Sequence, residues 1–183
     1  MSNYNNRGVT LVALMITIIV IIIIASVSIT IGRNLIDKTK VENLITNMLI
    51  IKAKAKGFEE DVESKTWNFS NDIEEGSTIS KKEEGRRDHF ENEYNFILID
   101  QSNSSIYGMS NLDSDSVYYA LGEDALKNMG LVNLLEDGKS YYVVKYTVND
   151  NKYEDIDVFY TKGIKYENNR YYALTELQDI IDK

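Results

Sequence analysis

The chain has 183 residues, a formal net charge of −9, one histidine, and neither cysteine nor proline. Disulfides, thiol chemistry and cysteine zinc sites are thereby excluded, as are proline kinks in any helix. Arg7 is the only charge ahead of position 33, so the rest of the chain, with 19 basic and 29 acidic residues, carries an acidic excess that makes nucleic acid a poor partner.

Residues 8–32, GVTLVALMITIIVIIIIASVSITIG, form an uncharged run between Arg7 and Arg33. As a helix rising ~1.5 Å per residue, such a run would measure about 37 Å, which predicts a transmembrane segment across roughly 30 Å of hydrocarbon. A cleaved secretory signal usually has a shorter apolar core, of about 7 to 15 residues, followed by small residues. Here the small residues Ala25, Ser26 and Ser28 lie inside the run. Ahead of it stands a short polar leader, MSNYNNRG, with one cation and a final Gly8.

Leader, glycine and apolar run together resemble the prepilin segment of type IV pilins and type II secretion pseudopilins, in the variant common among pilin-like proteins of Gram-positive bacteria. The motif covers residues 7–32, and its specificity lies in the coincidence of its parts. The resemblance implies cleavage by a prepilin peptidase between Gly8 and Val9, with N-methylation of Val9, which replaces the family's usual phenylalanine. The family's fifth mature residue is generally a glutamate that pairs with a neighbouring subunit's terminal ammonium; here that position is Ala13. Ala13 avoids the cost of a buried carboxylate and forgoes the pairing. A tip subunit, a minor subunit recruited by other contacts, and an anchored protein that never polymerises all fit this departure.

Residues 33–57 continue as a predicted amphipathic helix, with Val41, Leu44, Ile45, Met48, Leu49 and Ile51 or Ala55 at three- and four-residue spacing and Gly57 as its stop. Residues 58–93 show no sustained period and read as a long surface loop with one short element at most, anchored by Trp67, Phe69, Ile73 and Ile79. Strands are predicted at 94–99, 116–121, 141–148 and 156–162, with a short helix at 122–131. A last hairpin pairs 164–166 with 171–173, and Thr175 caps a terminal helix.

The predicted fold is α+β: a leader (1–8), a transmembrane or filament-core helix (9–32), its amphipathic continuation (33–57), and a small antiparallel sheet in an extracellular head (58–183). No catalytic arrangement stands out. His89 lies among charges, and neither a phosphate loop nor a zinc signature is present. Asp113 and Asp115, and Asp150, Asp155 and Asp157, offer calcium-type oxygens without helix-loop-helix spacing, so no cofactor is expected beyond a weak calcium possibility. Lys52, Lys54, Lys56, Lys81, Lys82, Arg86 and Arg87 read as solvated surface beside glutamates. Adjacent tyrosines should place one ring inward and the next outward on a strand.

The functional expectation is therefore a pilin-like, non-enzymatic subunit, held as a single-pass membrane protein with an external head and then assembled into a surface filament or pseudopilus. Its implied partners are prepilin peptidase, other pilin subunits, the assembly machinery and the bilayer. The alternative is a non-polymerising, single-span membrane-anchored surface protein whose acidic head binds a ligand or a partner.

Overall fold

The computed structural model describes residues 7–77, 79–135, 138–149 and 152–181, without the side chains of 7–13 and 23–36. The chain divides into two compact units, Met1–Glu42 and Asn43–Lys183, each taken by itself below. Its first element, α1 (Arg7–Thr66), is helical throughout.

No helix among the described residues is long and apolar enough to cross a membrane. This corrects the predicted membrane-spanning first half (9–32), and with it the single-pass localisation with an external head. Ahead of residue 37, the side chains described on α1 are those of Leu14–Ile22.

In the second unit, α1 buries Leu44, Met48, Ile51, Ala55, Val62 and Thr66, a stripe at helical spacing. Leu49 was predicted on this face but is exposed. Gly57, predicted as a stop, lies inside the helix. The helix continues because Val62 and Thr66 extend the buried stripe past it, and Phe58 stacks on Tyr94 at 4.1 Å.

The predicted loop 58–93 is corrected too: it holds the end of α1 and a second helix, α2 (Lys81–Asn92). Ser80 caps α2 by accepting from the Glu83 N–H, the first half of a capping box. Trp67, Phe69 and Ile73 are exposed rather than anchoring, and the side chains that α2 buries are Arg86 and Phe90.

Arg86 is held from two sides. Its Nε donates to Glu63 Oε2 at 3.1 Å, its Nη2 reaches the same oxygen, and its guanidinium lies 4.9 Å from the centre of the Tyr153 ring. Lys82 Nζ donates to Glu63 Oε1 at 2.5 Å. Burial raises the Glu63 carboxyl pKa, but the bonds from Lys82 and Arg86 outweigh burial and hold it below its ordinary 4.5.

The sheet is an antiparallel meander, β1 (Ile97–Ile99), β2 (Ser116–Leu121), β3 (Tyr142–Asn149), β4 (Lys152–Tyr166) and β5 (Asn169–Ala173), in that spatial order. Register places Tyr119 opposite Val144, Leu121 opposite Tyr142, and Tyr146 opposite Ile156, all buried on one face. Against that face lie α1, through a 3.0 Å bond from Tyr146 Oη to the Ala55 carbonyl, and α2, whose Phe90 ring is 4.9 Å from that of Tyr119.

The opposite face carries Tyr118, Ala120 and Val143, which form a second cluster with Ile99 and Tyr107. Tyr107 comes from a 3₁₀ turn, Ser104–Tyr107. Both faces are covered, so Tyr118 and Tyr119 are both buried, contrary to the one-in, one-out expectation.

Two short helices complete the unit. In α3 (Glu123–Asn128), Ala125 and Leu126 are buried. In α4 (Leu174–Ile181), Leu174 and Leu177 are buried. Thr175 is not the cap: its hydroxyl donates to Asp157 Oδ2 at 3.0 Å, while Glu176 accepts from the Tyr172 and Ala173 N–H groups. The two predicted strands 156–162 and 164–166 are one strand, β4, and Glu167 and Asn168, both at positive φ, make the two-residue turn into β5.

Two stability measurements check this packing. A Cβ at Gly57 would meet nothing within 4 Å, so Gly57→Ala should stabilise by roughly 0.5–1 kcal/mol in a thermal or denaturant melt. Because the Glu63 pKa is depressed on folding, its contribution is full above pH 4.5 and fades as pH falls through the folded value. Glu63→Gln should cost about 2–4 kcal/mol at pH 7, by leaving Arg86 buried with a weaker partner, and should flatten the acid limb of the stability profile.

Candidate functional site

The first unit presents a helix whose described side chains from Leu14 to Ile22 are all exposed. Exposure runs from 45% at Val20 to 64% at Ile21. Side chains at nine successive positions point in every direction around a helix, so no single stripe faces a core. The one polar side chain, Thr17, returns its hydroxyl to the Leu14 carbonyl at 2.8 Å. A surface covering this run would therefore meet no unpaired side-chain donor. Helical backbone groups are satisfied internally as well, so the run is chemically suited to apolar packing from all sides.

The residues predicted for processing lie next to it. Residues 1–6 of the leader lie outside the described residues. The Gly8–Val9 bond falls in the first turn of α1. Ala13 belongs to the same helix, and the side chains of Val9 and Ala13 are outside the described set.

Other singled-out residues are engaged within the head. His89 sits on α2 rather than in a loop, with Nδ1 2.7 Å from Glu93 Oε1. Lys81 pairs with Glu74, Lys82 and Arg86 with Glu63, Arg87 with Glu83, and Lys52 with Asp155 at 3.8 Å.

Asp113 accepts from Lys145 Nζ at 2.5 Å and from Tyr118 Oη at 3.2 Å. The hydrogen bond from Lys145 chiefly holds its carboxyl below the usual range. Asp155 and Asp157 each accept from the N–H of the following residue. Asp150 lies outside the described residues. Among the described residues, no three His, Asp or Glu side chains are grouped to hold a metal ion.

Sequence reasoning missed two features. One is the aromatic cluster of Phe90, Phe96, Tyr119, Tyr146 and Tyr153, in which the Tyr119 hydroxyl is buried beside that of Tyr153. Burial pushes the Tyr119 hydroxyl well above its ordinary pKa, so it stays protonated. The other is a set of open grooves in the head, of which two are the larger among those described. One, of about 450 Å³, is bordered by Glu91, Glu123 and Asp124; the other, of about 380 Å³, is lined by tyrosines and a phenylalanine. Ser80 followed by Glu83 was the available signal for α2, but no local pattern announces a groove assembled from β4, β5 and a distant turn.

Comparison with protein families, with curated proteins and with solved structures returns no match.

Proposed function

We propose that this chain is a type IV pilin-like filament subunit, cleaved by a prepilin peptidase between Gly8 and Val9 and methylated at Val9. Assembly is driven by packing the apolar run of α1 against the same run of other subunits, with assembly machinery supplied by other proteins. The observation that supports this reading is the all-round exposure of Leu14–Ile22 on a helix with no polar side chain left unpaired there. Covering the remaining half of each aliphatic side chain would contribute roughly 1 kcal/mol apiece, and a bundle multiplies that over several neighbours.

Without a carboxylate at Ala13, register comes from shape and head contacts rather than from a buried ion pair. This suits a minor subunit placed among others. The apolar core of such a bundle needs no cofactor, and the subunit performs no catalysis.

Two readouts on chain produced in its own host test the proposal. N-terminal sequencing should begin at Val9; a mature chain starting at Met1 overturns the processing step. Ile18→Lys places a charge inside the bundle at a cost of several kcal/mol, so the protein should disappear from the sheared filament fraction by tenfold or more. Undiminished recovery of the variant in that fraction overturns the packing step.

A further inference from the structure

The groove of about 380 Å³ lies where the loop following the Ser104–Tyr107 turn meets β4 and β5. None of its lining residues is charged, in a chain where 27% of residues are. Tyr172 is the exposed aromatic of the lining, with the half-buried Phe159 and the buried Tyr107 behind it, and Ser110, Asn111 and Thr161 supply hydroxyl and amide groups. We propose that this groove binds an uncharged oligosaccharide.

The shape is built into the strands. The register of β4 against β5 shifts between Phe159 and Ile164, a bulge beside the groove. Gly163, at φ +60°, lies within β4 beside this shift, and a Cβ there would stand 2.7 Å from the Tyr171 carbonyl oxygen and 2.8 Å from the Tyr172 ring. The Tyr172 ring thus rests on bare backbone, and its outer side is open, the residue being 44% exposed. Tyr107 is held edge-on to Tyr141 at 5.0 Å. Thr161 Oγ1 accepts from the Tyr141 N–H at 2.9 Å, and a hydroxyl that accepts can also donate.

The ligand class follows from this chemistry. A sugar ring has an apolar C–H face, which packs on an aromatic ring, and an edge of hydroxyls, which seeks hydroxyl and amide partners. Rigid aromatic walls lose little entropy on contact, and the volume lies within the ~300–1,000 Å³ usual for small-molecule sites. An ion would find no countercharge here, and an anion would also approach a head of net negative charge. A proline-rich peptide is the competing occupant of an aromatic groove, but the hydroxyl and amide rim matches the polyol better. The inference concerns the head alone and stands apart from the assembly reading.

Calorimetric titration of the full chain, in a detergent without a sugar headgroup, tests it. The probes are cellohexaose, maltohexaose and chitohexaose, with hexagalacturonate and hexaproline as competitors of other chemistry. At least one neutral hexasaccharide should bind with a submillimolar Kd. Tyr172→Ala should weaken that binding about tenfold or more, while Tyr172→Phe stays within about threefold and both variants melt like the parent. Absence of binding by every neutral probe at millimolar concentration, equal binding by Tyr172→Ala, or preference for hexagalacturonate or hexaproline overturns the inference.

Discussion

One helix has to satisfy two kinds of surroundings. From Leu44 to Thr66, α1 buries Leu44, Met48, Ile51, Ala55, Val62 and Thr66, with Phe58 half-buried between Ala55 and Val62, the pattern of an element laid on a sheet. From Leu14 to Ile22 the same helix is exposed on all sides and has no polar face. Water is a poor solvent for that stretch, and an apolar surface of this extent on a chain marks a site of association. The proposed function follows from this asymmetry more than from any single motif.

The head gives the second part of α1 its fixed seat. The Tyr146 hydroxyl grips the Ala55 carbonyl, while Glu63 binds Arg86 and Lys82 of α2. A buried guanidinium is costly alone; the carboxylate and the Tyr153 ring beneath it offset that cost and fix where α2 lies. Phe90, one turn along α2 from Arg86, then closes the aromatic cluster over the sheet. With α1 and α2 on one face and the 3₁₀ turn on the other, the meander is shielded without a single disulfide.

The residues announced some of this architecture and concealed the rest. The α+β class, the strands around SVYYAL and YYVVKYTV, and the buried positions Leu44, Met48 and Ile51 follow from period and β-propensity. Gly57 misled because tertiary burial of Val62 and Thr66 outweighs the roughly 1 kcal/mol that a mid-helix glycine costs. Helix α2 escaped notice because its buried side consists of Arg86 and Phe90 in an otherwise charged segment, so hydrophobic periodicity could not reveal it. The length of the apolar run suggested a membrane crossing, yet among the described residues no helix meets that requirement. Of the candidate sites, the exposed apolar run was legible in composition alone, whereas the uncharged groove depends on the register shift beside Gly163 and on contacts between distant segments.

Because the native chain has no cysteine, a single introduced thiol reports one contact. Disulfide formation requires the two Cα atoms to come within about 7 Å, a separation that facing helices of a packed bundle reach and isolated subunits do not. Oxidising host cells that carry Ile18→Cys or Ile22→Cys, with Lys40→Cys as the reference position, measures this directly. With a cysteine also placed in the apolar run of the companion subunits, the account predicts covalent dimers, with itself or with a companion, at the apolar positions well above the reference; monomers at both, in cells whose filaments are intact, would contradict it.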